Sequence, residues 1–182
     1  MTTTRVIDAD GHVTEPADLW ETSLEAAWRP RAIRIARNAA NLETLLIDGK
    51  PHHVYAPGTL GVRGGIGMDP TKLLEPGCHT YREGCPPGGW DPAARLKVLD
   101  EEGIDVSVLY PTIGLTWEGP VDDPGLAAAY CRAYNRWLGD SCRAAPDRLV
   151  GVAHVSLLDV DEAAREARRT AKAGMTGSCA RT

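Results

Sequence analysis

The sequence predicts an α/β fold: the amino-terminal half of a (β/α)8 barrel of the TIM type, with a β-meander and a Gly/Pro-rich loop inserted after the first strand. Three observations carry this expectation. From residue 90 onward, strand-length apolar runs alternate with helix-length segments, a pattern that implies a parallel sheet with right-handed crossovers. The run that opens the chain ends in a carboxylate and an imidazole two residues apart, and active sites of such barrels lie at the carboxyl ends of their strands. The third is length: 182 residues make one domain, short of the roughly 250 residues of a complete barrel.

The first strand is Val6-Ile7-Asp8-Ala9-Asp10-Gly11-His12. Strand side chains alternate between faces, so Asp10 and His12 point the same way. Gly11 between them has no side chain and lets another group approach. A short helix follows Glu15-Pro16 and carries Trp20. Residues 31–56 form the meander. Within it, residues 31–35 and 42–47 alternate as strands do, Asp48-Gly49 is a hairpin signal, and residues 51–55 return. Residues 57–89 are mostly loop, and a loop of that length in a compact domain is usually functional or mobile. Its run Gly61-Val62-Arg63-Gly64-Gly65-Ile66-Gly67 neither leaves a strand nor opens a helix, so it reads as flexible loop rather than a phosphate cradle.

Residues 90–182 carry the βα repeats. Asp91-Pro92 starts a helix that runs through Leu96 and Leu99 to Gly103. Residues 104–110 form a strand. Asp123-Pro124 starts the next helix, whose Tyr130, Tyr134, Trp137 and Leu138 recur at helical spacing and read as core. A strand over residues 148–156 follows, then Asp159 with Glu162 as a capping-box signature. That alanine-rich helix ends near Gly174, and residues 175–180 open a fourth strand.

Composition narrows the partners. Hydrophobic residues make up 43% of the chain, enough for a substantial core. A net charge of −5 without a basic stripe argues against nucleic acid. No apolar run is long enough to cross a membrane, and no secretory signal opens the chain, so a cytoplasmic location is expected. The five cysteines form no CxxC pair and are expected as free thiols; Cys78-His79 with Cys85 fits no zinc spacing.

Asp10 and His12 are the metal-ligand candidates. A hard oxygen beside an imidazole nitrogen suits a divalent ion, zinc first, with manganese or iron as alternatives. Asp and His also abound in ordinary turns, and it is the strand-end position that separates the two readings. Tyr110 and Thr112 end the second barrel strand and are candidates for contact with a small-molecule substrate, or for packing. His154 either lines the pocket or is a buried structural histidine. Trp20 either walls the site or staples its helix. His52 and His53 are read as a solvated face of the meander. Arg181 either pairs a substrate carboxylate or belongs to a frayed end.

Several stretches together resemble a known family. They are Ile7-Asp8-Ala9-Asp10-Gly11-His12-Val13 with Glu15-Pro16, Gly89-Trp90-Asp91-Pro92 with Arg95-Leu96, and Leu99-Asp100 with Gly103-Ile104-Asp105. Tyr110-Pro111-Thr112, Tyr134-Asn135-Arg136-Trp137 and Pro146-Asp147-Arg148-Leu149 complete the set. In this order they resemble the amidohydrolase-related family (amidohydrolase type 2), which includes aminocarboxymuconate-semialdehyde decarboxylase and related non-oxidative decarboxylases. The resemblance implies a metal-dependent barrel with a His-x-His or Glu-x-His pair on its first strand. Asp10 and His12 stand at those two positions. Asp10 is shorter than the usual residue, which leaves direct ligation and action through water as alternatives. The resemblance also implies a further His on a middle strand and an Asp on the last; these ligands and the catalytic residues are expected beyond Thr182. The implied function is metal-dependent hydrolysis of a small organic substrate, carboxylated or aromatic, through metal-activated water. The alternative within the family is non-oxidative decarboxylation. An alternative of another class is an inactive truncated fragment or interaction module. Its half-barrel would leave open edges and an apolar face for a second copy, making a homo-oligomer.

Overall fold

A computed structural model describes residues 4–53, 55–65 and 68–180. Four parallel strands form the main sheet: β1 (Ile7–His12), β5 (Val106–Tyr110), β6 (Leu149–His154) and β7 (Gly177–Cys179), adjacent in that order. Each neighbour in the sheet is the next barrel strand along the chain. This is the progression of a (β/α)8 barrel, and the four strands make half of one.

Between β1 and β5 lie α1 (Leu19–Ser23) and the antiparallel sheet of β2 (Arg34–Arg37), β3 (Glu43–Ile47) and β4 (Lys50–Pro51). The first meander strand is shifted from residues 31–35 to 34–37, because Arg29–Arg31 winds as a 3-10 turn around Pro30. Asp48 and Gly49 both take positive φ, as a tight primed hairpin turn requires. The returning strand is only two residues long. Pro51 has no N–H to continue the ladder, although His52 N still donates to Leu45 O at 2.8 Å.

The glycine-rich segment is more ordered than its composition suggests. It holds a 3-10 turn at Leu60–Gly64, α2 (Pro70–Leu73) and α3 (Tyr81–Gly84), the last closed by a reciprocal Thr80–Glu83 capping box. Its glycines serve close packing of backbone on backbone. A Cβ on Gly84 would lie 1.8 Å from Gly61 O, and one on Gly64 2.1 Å from Gly84 O. Ile66 and Gly67 of the run read as flexible loop fall outside the described residues, as does Arg181.

The three longer helices start at caps legible in the sequence. They are α4 (Pro92–Glu102), α5 (Pro124–Cys142) and α6 (Val160–Lys172). Asp91, Asp123 and Asp159 each accept a backbone N–H of the first turn. Gly103 ends α4 at φ 69°. The Asp159–Glu162 box is one-sided: Asp159 caps Glu162 N, while the Glu162 carboxylate pairs with Arg165.

Of the four apolar residues read as core on α5, Tyr130, Tyr134 and Leu138 are buried, while Trp137 is partly buried and packs against the core; Leu126, one turn earlier, is buried with them. They join two cores. One, between α5 and the meander, contains Trp20, Ile33, Leu45, Leu60, Trp117 and Tyr130. The other, between sheet and helices, contains Leu99, Leu109, Tyr134, Leu138 and Leu149. Each such side chain contributes about 1.5–3 kcal/mol by leaving water. Arg31 ties the meander to α5 through Asp48, at 2.6 and 2.7 Å, and Asp123, at 2.6 Å. His52 departs from the solvated face expected of it. It is buried, and its Nε2 lies 3.0 Å from Thr116 O, because the meander lies against the β5-end turn; His53 is exposed.

Candidate functional site

The site is built at the end of β1, and a bulge shapes it. Asp8 pairs with Ser107 and Gly11 with Leu109, so β1 uses one more residue than β5 over the same distance. Strict alternation would put Asp8, Asp10 and His12 on one face; the extra residue separates Asp8 from the others. The Asp8 carboxylate accepts from Ser107 Oγ at 2.8 Å, against a fully buried serine. The Asp10 side chain is 90% exposed, and its Oδ1 lies 3.8 Å from His12 Nε2. Gly11 permits the bulge: a Cβ there would lie 2.3 Å from Ser107 Oγ and 2.5 Å from Asp8 Oδ2. The close neighbour that the glycine admits is thus the β5 serine.

His12 is held from behind. Its Nδ1 lies 2.7 Å from Pro111 O. A carbonyl only accepts, so Nδ1 carries the proton and the neutral ring keeps its lone pair on Nε2, toward Asp10. Metal-binding histidines are commonly arranged this way. Arg95 Nη2 donates to His12 O at 2.5 Å. Burial pulls the Arg95 guanidinium below its ordinary pKa, while the charge of Asp8 opposes this. The Tyr110 ring stands 6.0 Å from the His12 ring, so these two strand ends share one wall. Asp10 and His12 remain a pair: among the described residues, no group of three or more His, Cys, Asp or Glu side chains could hold an ion.

Thr112 enters through its backbone. Glu15, fully buried, receives Thr112 N at 3.0 Å, Ile113 N at 2.9 Å and Gly114 N at 2.9 Å on its two carboxylate oxygens. Burial pushes the Glu15 carboxyl above its ordinary pKa, and the three amides pull the other way. Tyr81 from α3 donates its hydroxyl to Glu15 O at 2.8 Å. On another side of Glu15 lies a cavity of about 190 Å³, lined also by Asp18, Tyr81, Arg82 and Trp90, with neither Asp10 nor His12 in its wall.

The structure does not bring Trp20 or His154 to the Asp10–His12 pair. Trp20 is 1% exposed within the meander core and walls no open surface. His154 is equally buried, with Nε2 2.7 Å from Glu118 Oε1 and its ring 5.1 Å from that of Trp117. Asn135 on α5 clamps its backbone, accepting from His154 N at 2.7 Å and donating to His154 O at 2.8 Å. Asn135 also donates to Glu166, which pairs with Arg169. Sequence reasoning named Glu15 and Arg95 only within the stretches of the family resemblance, and assigned neither of them, nor Glu118, to this end of the sheet. Glu15 had one available signal: it is an acid three residues beyond His12, in a segment with no helical or strand period. Glu118 had none. All five cysteines are free.

Comparison with known proteins places the chain in a family. The model of the amidohydrolase family matches residues 7–178. A solved amidohydrolase from Mycobacterium avium subsp. paratuberculosis K-10 superposes with a TM-score of 0.76 at 24% identity, covering 99% of this chain and 50% of the other. The 2,6-dihydroxybenzoate decarboxylase from Rhizobium gives 0.51 at 18% identity, with coverages of 97% and 38%. The 5-carboxyvanillate decarboxylase LigW2 from Novosphingobium aromaticivorans, solved with bound manganese and 3-methoxy-4-hydroxy-5-nitrobenzoic acid, gives 0.52 at 19%, with coverages of 96% and 41%. No curated protein sequence matches. The chain therefore spans half or less of the length of these solved structures, and its four-strand sheet corresponds to half of their barrel. The family model covers nearly the whole sequence, from β1 into β7, and the chain belongs to the amidohydrolase family.

Proposed function

We propose that Asp10 and His12 contribute two ligands to a divalent metal centre of a hydrolase acting on a small organic substrate. The observation that carries this reading is the His12 hydrogen bond to Pro111 O, which leaves Nε2 as the free donor facing an exposed carboxylate. Zinc is the first choice for this N/O pair, with manganese and iron as alternatives. Two ligands are half of an ordinary four-ligand shell, and the others come from the part of the barrel that this chain does not span. An ion held there supplies Lewis acidity toward a substrate oxygen and acidifies a water. The chain's own residues do the positioning: Pro111 O sets the His12 ring, Arg95 holds the His12 backbone, and Tyr110 walls one side for the substrate.

Decarboxylation is the second reading, favoured by one observation: two of the matched structures are decarboxylases of aromatic acids. Two experiments test these readings. Calorimetric titration with zinc and manganese is expected to show weak binding that Asp10→Ala and His12→Ala each abolish. Affinity at micromolar levels that survives both substitutions removes the ligand role. Turnover of esters, amides and aromatic carboxylates by a complete barrel carrying this half separates the reactions. Carbon dioxide release without ester or amide cleavage sinks the hydrolase reading.

A further inference from the structure

The Pro111 carbonyl that receives His12 Nδ1 and the Thr112 N–H that reaches Glu15 belong to one peptide group. Such a group is planar and trans, so its C=O and N–H point in opposite directions and turn together. On one edge, His12 Nδ1 lies 2.7 Å from the oxygen. On the other, the nitrogen lies 3.0 Å from Glu15 Oε1. We infer that Glu15 is a positioning residue for His12, acting through the Pro111–Thr112 peptide: the carboxylate fixes the plane of that peptide and thereby the Nδ1–H tautomer of the ring. The arrangement is a carboxylate–peptide–histidine relay, comparable to the carboxylate–histidine pairs that orient metal ligands, with one peptide unit interposed.

Four features single out Glu15. It is fully buried, where an ionised carboxyl is costly unless its oxygens are bonded. Three successive amides, those of Thr112, Ile113 and Gly114, meet those oxygens. Charge-assisted bonds of this kind are about twice as strong as neutral ones, and a bonded chain strengthens its members by polarisation. Gly114 leaves room for the clamp: a Cβ there would lie 2.6 Å from the Pro111 Cβ and 3.2 Å from Glu15 Oε1. Finally, the Tyr81 hydroxyl bonds Glu15 O, so the glycine-rich segment braces the relay from outside the sheet.

The geometry stands in the absence of metal, while its consequence for metal binding rests on the function proposed above. The test therefore reads the ring. Long-range ¹H–¹⁵N correlation of the metal-free protein, above the pH at which histidines are charged, identifies the protonated nitrogen of His12. The wild-type protein is expected to show the Nδ1–H form. Glu15→Gln keeps the shape but sets an NH₂ group against N–H donors. It is expected to erode the preference about tenfold, roughly what one hydrogen bond supplies, with far-UV circular dichroism unchanged. A folded Glu15→Gln that retains the wild-type tautomer ratio overturns the inference, as does a wild-type ring protonated on Nε2. If Glu15→Gln does not fold, the scalar coupling across the hydrogen bond from Thr112 N to the Glu15 carboxylate carbon decides in the wild-type protein: its presence supports the relay and its absence overturns it. Zinc titration of Asp10→Ala and His12→Ala reports separately on the metal reading, so either idea can fail without the other.

Discussion

Replacing Gly11 with alanine tests how the bulge builds the site. The added Cβ would lie 2.3 Å from Ser107 Oγ, 2.5 Å from Asp8 Oδ2 and 3.0 Å from Val108 O. Serine and aspartate side chains can rotate away, but the partly buried Asp8–Ser107 hydrogen bond then breaks. Losing a bond to a charged acceptor costs about 1.5–3 kcal/mol. Residual crowding against the Val108 carbonyl adds about 1 kcal/mol, the low end for overpacking. The expected loss is about 2.5–4 kcal/mol in urea unfolding, followed by circular dichroism at fixed protein concentration. Ser107→Ala removes the nearest clashing atom and the same hydrogen bond. The double variant should therefore lose less than the sum of the singles, by about 1–2 kcal/mol. Additivity within about 0.5 kcal/mol would refute the reasoning, because the two residues would then not share the contact. So would a Gly11→Ala protein as stable as wild type.

Two further outcomes follow from the same geometry. Arg31 holds the Asp48 and Asp123 carboxyls below their ordinary pKa through side-chain hydrogen bonds, so both bind protons more readily when unfolded. Their contribution to stability is present above the ordinary carboxylate value of about 3.9 and lost as pH falls through the folded values. Arg31→Met is expected to lower the urea midpoint at neutral pH and to flatten its decline on the acid side; an unchanged acid slope would count against the clamp. Ile7, the first residue of edge strand β1, is 57% exposed, and Val6 just before it is 51% exposed. Sedimentation velocity is expected to show self-association that Ile7→Glu weakens, and a monodisperse wild-type monomer would contradict it.

The sheet is open at its edges. β1 and β7 are its two edge strands, each hydrogen-bonded on one side only within the described residues. Each of the matched chains is about twice as long or more. The candidate metal pair sits on one of these edges.

Local chemistry determined what the sequence alone could disclose. Asp91, Asp123 and Asp159 mark helix starts because a short oxygen side chain satisfies amides two or three residues away, and Gly103 marks an end because it tolerates positive φ. Tyr130, Tyr134 and Leu138 share a helix face because of the 3.6-residue period. Asp10 and His12 share a strand face for the equivalent reason, and their ordered companions disclosed the family. Only the tertiary structure decided the rest. The bulge that separates Asp8 from Asp10 depends on Ser107, 99 residues beyond Asp8. The tautomer of His12 depends on Pro111, also 99 residues away, and the clamp behind it joins Glu15 to Thr112 across 97. Burial removed Trp20, His52 and His154 from solvent because the meander and the β5-end turn close over them. None of these contacts has a period or a cap to announce it. They arise where distant segments meet, and a sequence read along one dimension carries no measure of that meeting.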